Sequence, residues 1–189
     1  MIDWEVQKEY SKNLLKNTLV LLDEVTVSAT KYSLKLNSTN LLDANFDIQQ
    51  ITEDAFNEID FDPIYCIQLV DENNSVAVAK SFEKAKARNY KSRCYSKFNK
   101  NNSKTLYVGI SEAKSFKKRM REHLGAGAKS TYALNLKYWI PKDIQLEILV
   151  FKTFIPVYNK SESMNLLELM EQSLWDKLQP MMGKRSGRL

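Results

Sequence analysis

Residues 105–123 read TLYVGISEAKSFKKRMREH, and their reading decides the fold. Thr105–Ile110 is rich in residues that suit a strand. Gly109, near the end of that strand, permits a close approach by a ring or a ligand. In 112–124, Phe116, Met120 and Leu124 recur at spacings of four, the buried stripe of an amphipathic helix. Ser111 is the expected N-cap of that helix and Gly125 its terminator. Arg119 falls beside the stripe and leans over the sheet edge, whereas Arg121 points toward solvent or a nucleic-acid backbone.

Working outward, Ile64–Val70 (IYCIQLV) is a second strand, set between Asp62-Pro63 and Asp71-Glu72-Asn73-Asn74. Ile144–Phe154 alternates as a third. Residues 131–139 read as a short helix, and 164–178 as a last helix stopped by Gln179-Pro180. Strand, strand, helix, strand, helix predicts an α+β fold, a small three-stranded antiparallel sheet flanked by helices. The basic insert at 76–104 is too long for a tight hairpin, so it protrudes or carries its own helices. Toward the N-terminus, Leu15, Leu19, Leu22 and Val25 place one face of a helix within 3–26. Residues 27–37 alternate loosely, in the manner of a short strand, and Thr52 starts a short helix. The expected division is a mainly helical appendage over 1–60 and one domain over 61–189.

The chain has 189 residues, 43% of them hydrophobic and 11% aromatic, which is enough for a real core. No apolar run nears the roughly 20 residues of a membrane span. The first ten residues, MIDWEVQKEY, carry acids where a secretory leader carries Lys or Arg. The two cysteines, Cys66 and Cys94, make neither a metal site alone nor a disulfide in a reducing compartment, so a cytoplasmic protein is expected. Charge is unevenly spread. Residues 1–78 hold 5 Lys against 14 Asp and Glu, a net of −9, while 79–129 hold 15 Lys and Arg against 3 Glu, a net of +12. A segment this basic, with Tyr90, Tyr95 and Phe98 interleaved, is the expected electrostatic footprint of a polyanion, and nucleic-acid contact is expected of it. Lys84, Lys86, Arg88, Lys91, Arg93, Lys114, Lys118 and Arg121 are the expected nucleic-acid contacts.

The motifs resemble those of the GIY-YIG nuclease superfamily over about 63–183. Pro63-Ile64-Tyr65 stands where that family has Gly-Ile-Tyr, so the glycine is missing. Tyr107-Val108-Gly109 matches its second motif, Arg119 its helix arginine, and His123 the histidine often found four residues later. Glu171, nine residues before Pro180, matches its metal glutamate. Gly183 replaces a typical Asn, for which Lys184, Arg185 or Ser186 are possible substitutes. The tyrosine motifs are also separated by about forty residues rather than the family's usual ten or so.

The resemblance implies a Mg²⁺- or Mn²⁺-dependent DNA endonuclease. Tyr65 or Tyr107 would be the base, Arg119 the phosphate clamp, and Glu171 the sole protein metal ligand. His123 joins the catalytic set. A tyrosine base needs its pKa, normally about 10, lowered by positive charge, for which Arg119, the cation, Lys114 and Lys118 are available. Taken singly, each of these residues also has a plain reading: Tyr65 and Tyr107 as strand core, Arg119 and Glu171 as solvated helix charges, His123 as a cap. Their joint occurrence in order favours the catalytic one. The runner-up is a non-catalytic nucleic-acid-binding module that retains the fold; a third reading is a protein-interaction domain. Whether the protein is a monomer or a homodimer stays open.

Overall fold

The computed structural model describes residues 4–28, 32–154 and 160–185. Its elements, in chain order, are α1 (Trp4–Glu24), β1 (Thr26–Val27), β2 (Tyr32–Asn37), α2 (Ser38–Leu42), α3 (Ile48–Phe56), β3 (Ile64–Leu69), α4 (Ser75–Ala87), β4 (Thr105–Ile110), α5 (Ala113–Leu124), β5 (Gln145–Phe151), β6 (Thr153–Phe154) and α6 (Lys160–Leu178). The fold is α+β, as the sequence predicts. No helix among the described residues is long and apolar enough to cross a membrane.

The expected three-stranded sheet is corrected to four antiparallel strands in the order β2-β5-β3-β4. The added strand lies within 27–37, where a short strand is expected, but it belongs to the main sheet and not to a separate N-terminal appendage. Tyr32, Leu34 and Leu36 alternate with Ser33, Lys35 and Asn37, and the strand pairs along its whole length with β5, from Tyr32 opposite Val150 to Asn37 opposite Gln145. That pattern suits an edge strand with one buried face. A separate two-stranded sheet joins β1 to β6.

Strand β3 lies at the centre of the sheet and five of its six residues are buried. Side chains alternate between faces along a strand, so Tyr65 and Ile67 share a face with Tyr107 and Gly109, their partners across the β3–β4 ladder. Phe116, Met120 and Leu124 of α5, all fully buried, join the core they share with Tyr65 and Ile67. α3 packs against α5, and Phe56 meets Phe116 edge-on at 5.2 Å. Glu53 of α3 pairs with both Lys117 and Arg121 of α5. The start of α5 also differs from expectation. Ser111 is not its cap; the Ala113 N–H donates to the Asp62 carboxylate at 2.8 Å, across the chain from the entry to β3. Gly125 ends the helix as expected, at φ +118°, with its N–H and that of Ala126 both on the Arg121 carbonyl.

The basic insert folds as α4 and then returns through 90–104. Phe82 of α4 is fully buried and meets Tyr95, Phe98 and Trp139 edge-on. Residues 131–139 form only one 3₁₀ turn, Leu136–Tyr138, instead of the expected helix. Their backbone is drawn into an extended path beside 94–96, where Tyr95 and Ala133 make a parallel bridge. α1 is a long helix with no buried residue.

Candidate active site

The sheet and α5 bring Tyr65, Tyr107, Arg119 and His123 to one place. Tyr65 and Tyr107 stack with ring centroids 6.1 Å apart and planes 19° apart. Gly109 makes that stack possible. A Cβ on it would fall 2.7 Å from the Tyr65 oxygen and 2.8 Å from Tyr107 Cε1. The glycine of the second motif is therefore a seat for two phenol rings.

His123 lies on the last turn of α5, fully buried, with its ring centroid 4.4 Å from that of Tyr107. Its tautomer follows from its neighbours. The Leu134 N–H donates to Nδ1 at 3.3 Å, so Nδ1 carries no proton. Burial, and then the charge of Arg119, hold its pKa well below the usual histidine range, so the ring is neutral. The one remaining proton sits on Nε2, 3.2 Å from the Tyr65 oxygen, and is donated to it. The Tyr65 hydroxyl proton is thus directed elsewhere.

Arg119 is held in a fixed fork. One terminal nitrogen donates to the Glu122 carboxylate at 3.0 Å and to the Tyr132 carbonyl at 3.1 Å. The other donates to the Tyr107 oxygen at 3.4 Å. Burial opposes its charge, but Tyr65, Tyr107 and Glu122 outweigh burial and raise its pKa further. A guanidinium aimed in this way is suited to an anion such as phosphate.

Burial, then the neighbouring Tyr107, push the Tyr65 phenol well above 10, with Arg119 pulling the other way. The lowering of this phenol by nearby cations that a base role needs is therefore not found; desolvation wins. Lys114 is turned to Glu112 at 3.1 Å, and Lys118 is exposed. Tyr107 is half-buried and has the direct guanidinium contact.

Glu171 comes from α6, within electrostatic reach of Tyr65. Burial, and then Glu168 one turn earlier, push its carboxyl up to about 7. A half-buried carboxyl destabilised in this way gains from a cation beside it, so its chemistry fits a metal ligand. No cluster of three or more His, Cys, Asp or Glu able to hold a metal occurs among the described residues.

The segment after Pro180 closes the site from behind. Met181 and Met182 donate to the Thr105 and Leu106 carbonyls, and Gly183 to the Lys97 carbonyl, all at 2.8–2.9 Å. Gly183 has φ +109°, and a Cβ there would meet Tyr107 Cε2 at 3.1 Å. Glycine in place of the expected asparagine thus leaves room for the Tyr107 ring. Of the side chains named as substitutes for that asparagine, Arg185 is paired with Asp176 at 2.7 Å, Lys184 is exposed, and Ser186 lies outside the described residues.

The expected nucleic-acid contacts divide. Lys84, Arg88, Lys91 and Lys118 are exposed. Lys86 donates to the Ser96 carbonyl at 2.9 Å. Lys114 and Arg121 are held by Glu112 and Glu53. Arg93 is turned inward: it donates to the Gly127 carbonyl, Asn135 Oδ1 and the Tyr138 hydroxyl, and lies 4.1 Å from the Tyr138 ring centre. Three further groups join the site from outside those motifs: Glu122, the Leu134 N–H and the Tyr132 carbonyl. Glu122 was legible, three residues after Arg119 on one helix face. The Leu134 N–H and the Tyr132 carbonyl carry no sequence signal, because backbone groups act there.

No protein-family profile, curated protein or solved structure matches this chain.

Proposed function

We propose that the chain is a divalent-metal-dependent DNA endonuclease of GIY-YIG type, hydrolysing phosphodiester bonds. The observation that carries this reading is the convergence of Tyr65, Tyr107, Arg119 and His123, with Glu171 in electrostatic reach, in a chain that carries them far apart. Phosphodiester hydrolysis needs a proton acceptor for water, a cation where charge develops on the leaving oxygen, and a positive group on the phosphate.

Arg119 supplies the positive group, pre-aimed by Glu122 and the Tyr132 carbonyl. Its contact with Tyr107 would set a phenol oxygen beside a phosphate held there. His123, fixed as the Nε2–H tautomer, donates to Tyr65, so an anion forming on that oxygen already has a hydrogen bond. Either phenol is a candidate base. Tyr65 reaches that role only when positive charge arrives to offset its burial. Glu171 would hold Mg²⁺ or Mn²⁺, which when bound supplies charge stabilisation for the leaving oxygen.

The test is supercoiled plasmid incubated with Mg²⁺, with Mn²⁺ and with chelator. Metal-dependent nicking or linearisation is expected, absent in Glu171→Gln while DNA binding persists. A Glu171→Gln protein that cuts normally overturns the metal assignment. Plasmid shifted on a gel yet never cut under any divalent cation favours the non-catalytic binding module.

A further inference from the structure

Residues 131–135 form a strap pinned on every side. The Tyr132 carbonyl accepts from Arg119 at 3.1 Å. Ala133 bridges Tyr95, and its carbonyl takes the Ser96 N–H at 3.1 Å. The Leu134 N–H is on His123, and the Leu134 carbonyl accepts from the Trp139 indole at 2.6 Å. Asn135, 1% exposed, donates to the Cys94 carbonyl at 3.0 Å and accepts from Arg93 at 3.1 Å. Ala133, Leu134 and Leu136 are all buried, yet Tyr132 is 69% exposed. A large ring left in water gains nothing for the fold, and here it is mounted on a rigid backbone bonded directly to the phosphate clamp. Its chain neighbour Thr131 lines a cleft of about 180 Å³ shared with Lys118, Arg121, Glu122, Ala126 and Ala128.

From this placement we infer that Tyr132 is a stacking platform for a nucleobase next to the phosphate held by Arg119, with Lys118 facing the following phosphate. The inference rests on the nuclease reading above and narrows its substrate. A base inside a duplex has both faces covered, so the substrate is nucleic acid with an unstacked base beside the scissile bond: a single strand, a loop or a distorted duplex. Aromatic stacking of this kind tolerates any base, because every base has a π-face. The strap's fixed backbone lowers the ordering cost of binding.

The experiment is fluorescence anisotropy in chelator, using a labelled single-stranded 20-mer and the same sequence as a duplex, with wild type, Tyr132→Ala and Tyr132→Phe. Tyr132→Ala should weaken single-strand binding about tenfold and duplex binding much less. Tyr132→Phe keeps the ring and should bind within about twofold of wild type. The slope of affinity against salt should be unchanged in both, since no charge is lost. Unaltered affinity in Tyr132→Ala, equal losses in the Ala and Phe variants, or equal losses on both DNA forms would each overturn the proposal. Because Tyr132 is exposed, the Ala variant has no core to disrupt, and an unchanged circular dichroism spectrum verifies this. The readout needs no turnover, so a failed plasmid assay and a failed stacking assay point to different errors.

Discussion

Gly109 and Glu171 show what single positions in this site cost. Gly109→Ala inserts a methyl carbon where the Tyr65 oxygen and the Tyr107 ring already lie within 2.8 Å. Neither ring can retreat freely, with Tyr65 against Phe116 and His123. The expected loss is about 1–3 kcal/mol, read from a denaturant midpoint. A fall in cutting larger than the stability loss explains should accompany it, because both phenols shift. A variant with wild-type stability and activity would remove the ring-seat role. Glu171 behaves in the opposite sense. Its folded pKa of about 7 lies above the ordinary 4.5, so the folded protein holds that proton more tightly than the unfolded chain. Its contribution to stability is full below about 4.5 and is lost as pH rises through about 7. Glu171→Gln cannot ionise, so its stability relative to wild type should rise by about 2 kcal/mol between pH 5 and pH 8, allowing for partial solvent screening. Thermal melts at the two pH values decide this; a constant difference would place the carboxyl in solvent.

At the scale of elements, α5 carries the site, and its start is fastened from outside. Asp62 gives the Ala113 N–H its acceptor, so Asp62→Ala should cost about 1 kcal/mol. Urea melts should show that loss, and Asp62→Asn should recover most of it. A wild-type midpoint in Asp62→Ala would mean that solvent caps the helix equally well. The same helix shows what was legible. Phe116, Met120 and Leu124 fixed its buried face, and Arg119 and His123 followed from spacing. The cap was missed because it comes from fifty residues upstream, beyond any local pattern. Strand β2 is legible as a loosely alternating stretch within 27–37, but its place at the edge of the main sheet is not. Only its partner β5 decides its state, as usual for strands. The strap at 131–139 looked helical because nothing in its sequence reveals that Tyr95, His123 and Arg119 will compete for its backbone. Arg93 was read as a surface cation by composition alone; its inward carbonyl, amide and hydroxyl partners are all supplied by the fold.

At the scale of the whole molecule, α1 is the element least tied to the rest. It buries no residue, and Trp4, Tyr10, Leu14 and Leu19 are all more than half exposed. Removing residues 1–25 should therefore lower Tm by only a few degrees, about what 1 kcal/mol produces in a chain of this size. A drop of 10 °C or more would show that α1 supports the sheet. Charge is a property of this scale too. The sequence placed a net of +12 in 79–129, but the fold spends Arg93 on the strap and Arg121 on Glu53. Besides Lys86 and Lys114, held as described above, Lys80, Lys84, Arg88, Lys91, Lys97, Lys100, Lys118 and Lys129 remain exposed, fewer than the 15 cations that the segment's sequence holds.

The pairing of 181–183 with β4 also bears on how the chain is made. The β3–β4 ladder slips between Ile67 and Gln68, leaving Leu106 without a partner on β3. The carbonyls of Thr105 and Leu106 are instead taken by Met181 and Met182, and both methionines are fully buried. β4 is complete at residue 110, so its cover follows roughly 70 residues later. At ribosomal speeds of about 5–20 residues per second, the nascent sheet waits about 4–14 s with those acceptors bare. During that interval the half-made protein offers a docking edge to any other extended chain, and a chaperone or a slower, cooler synthesis would protect it most.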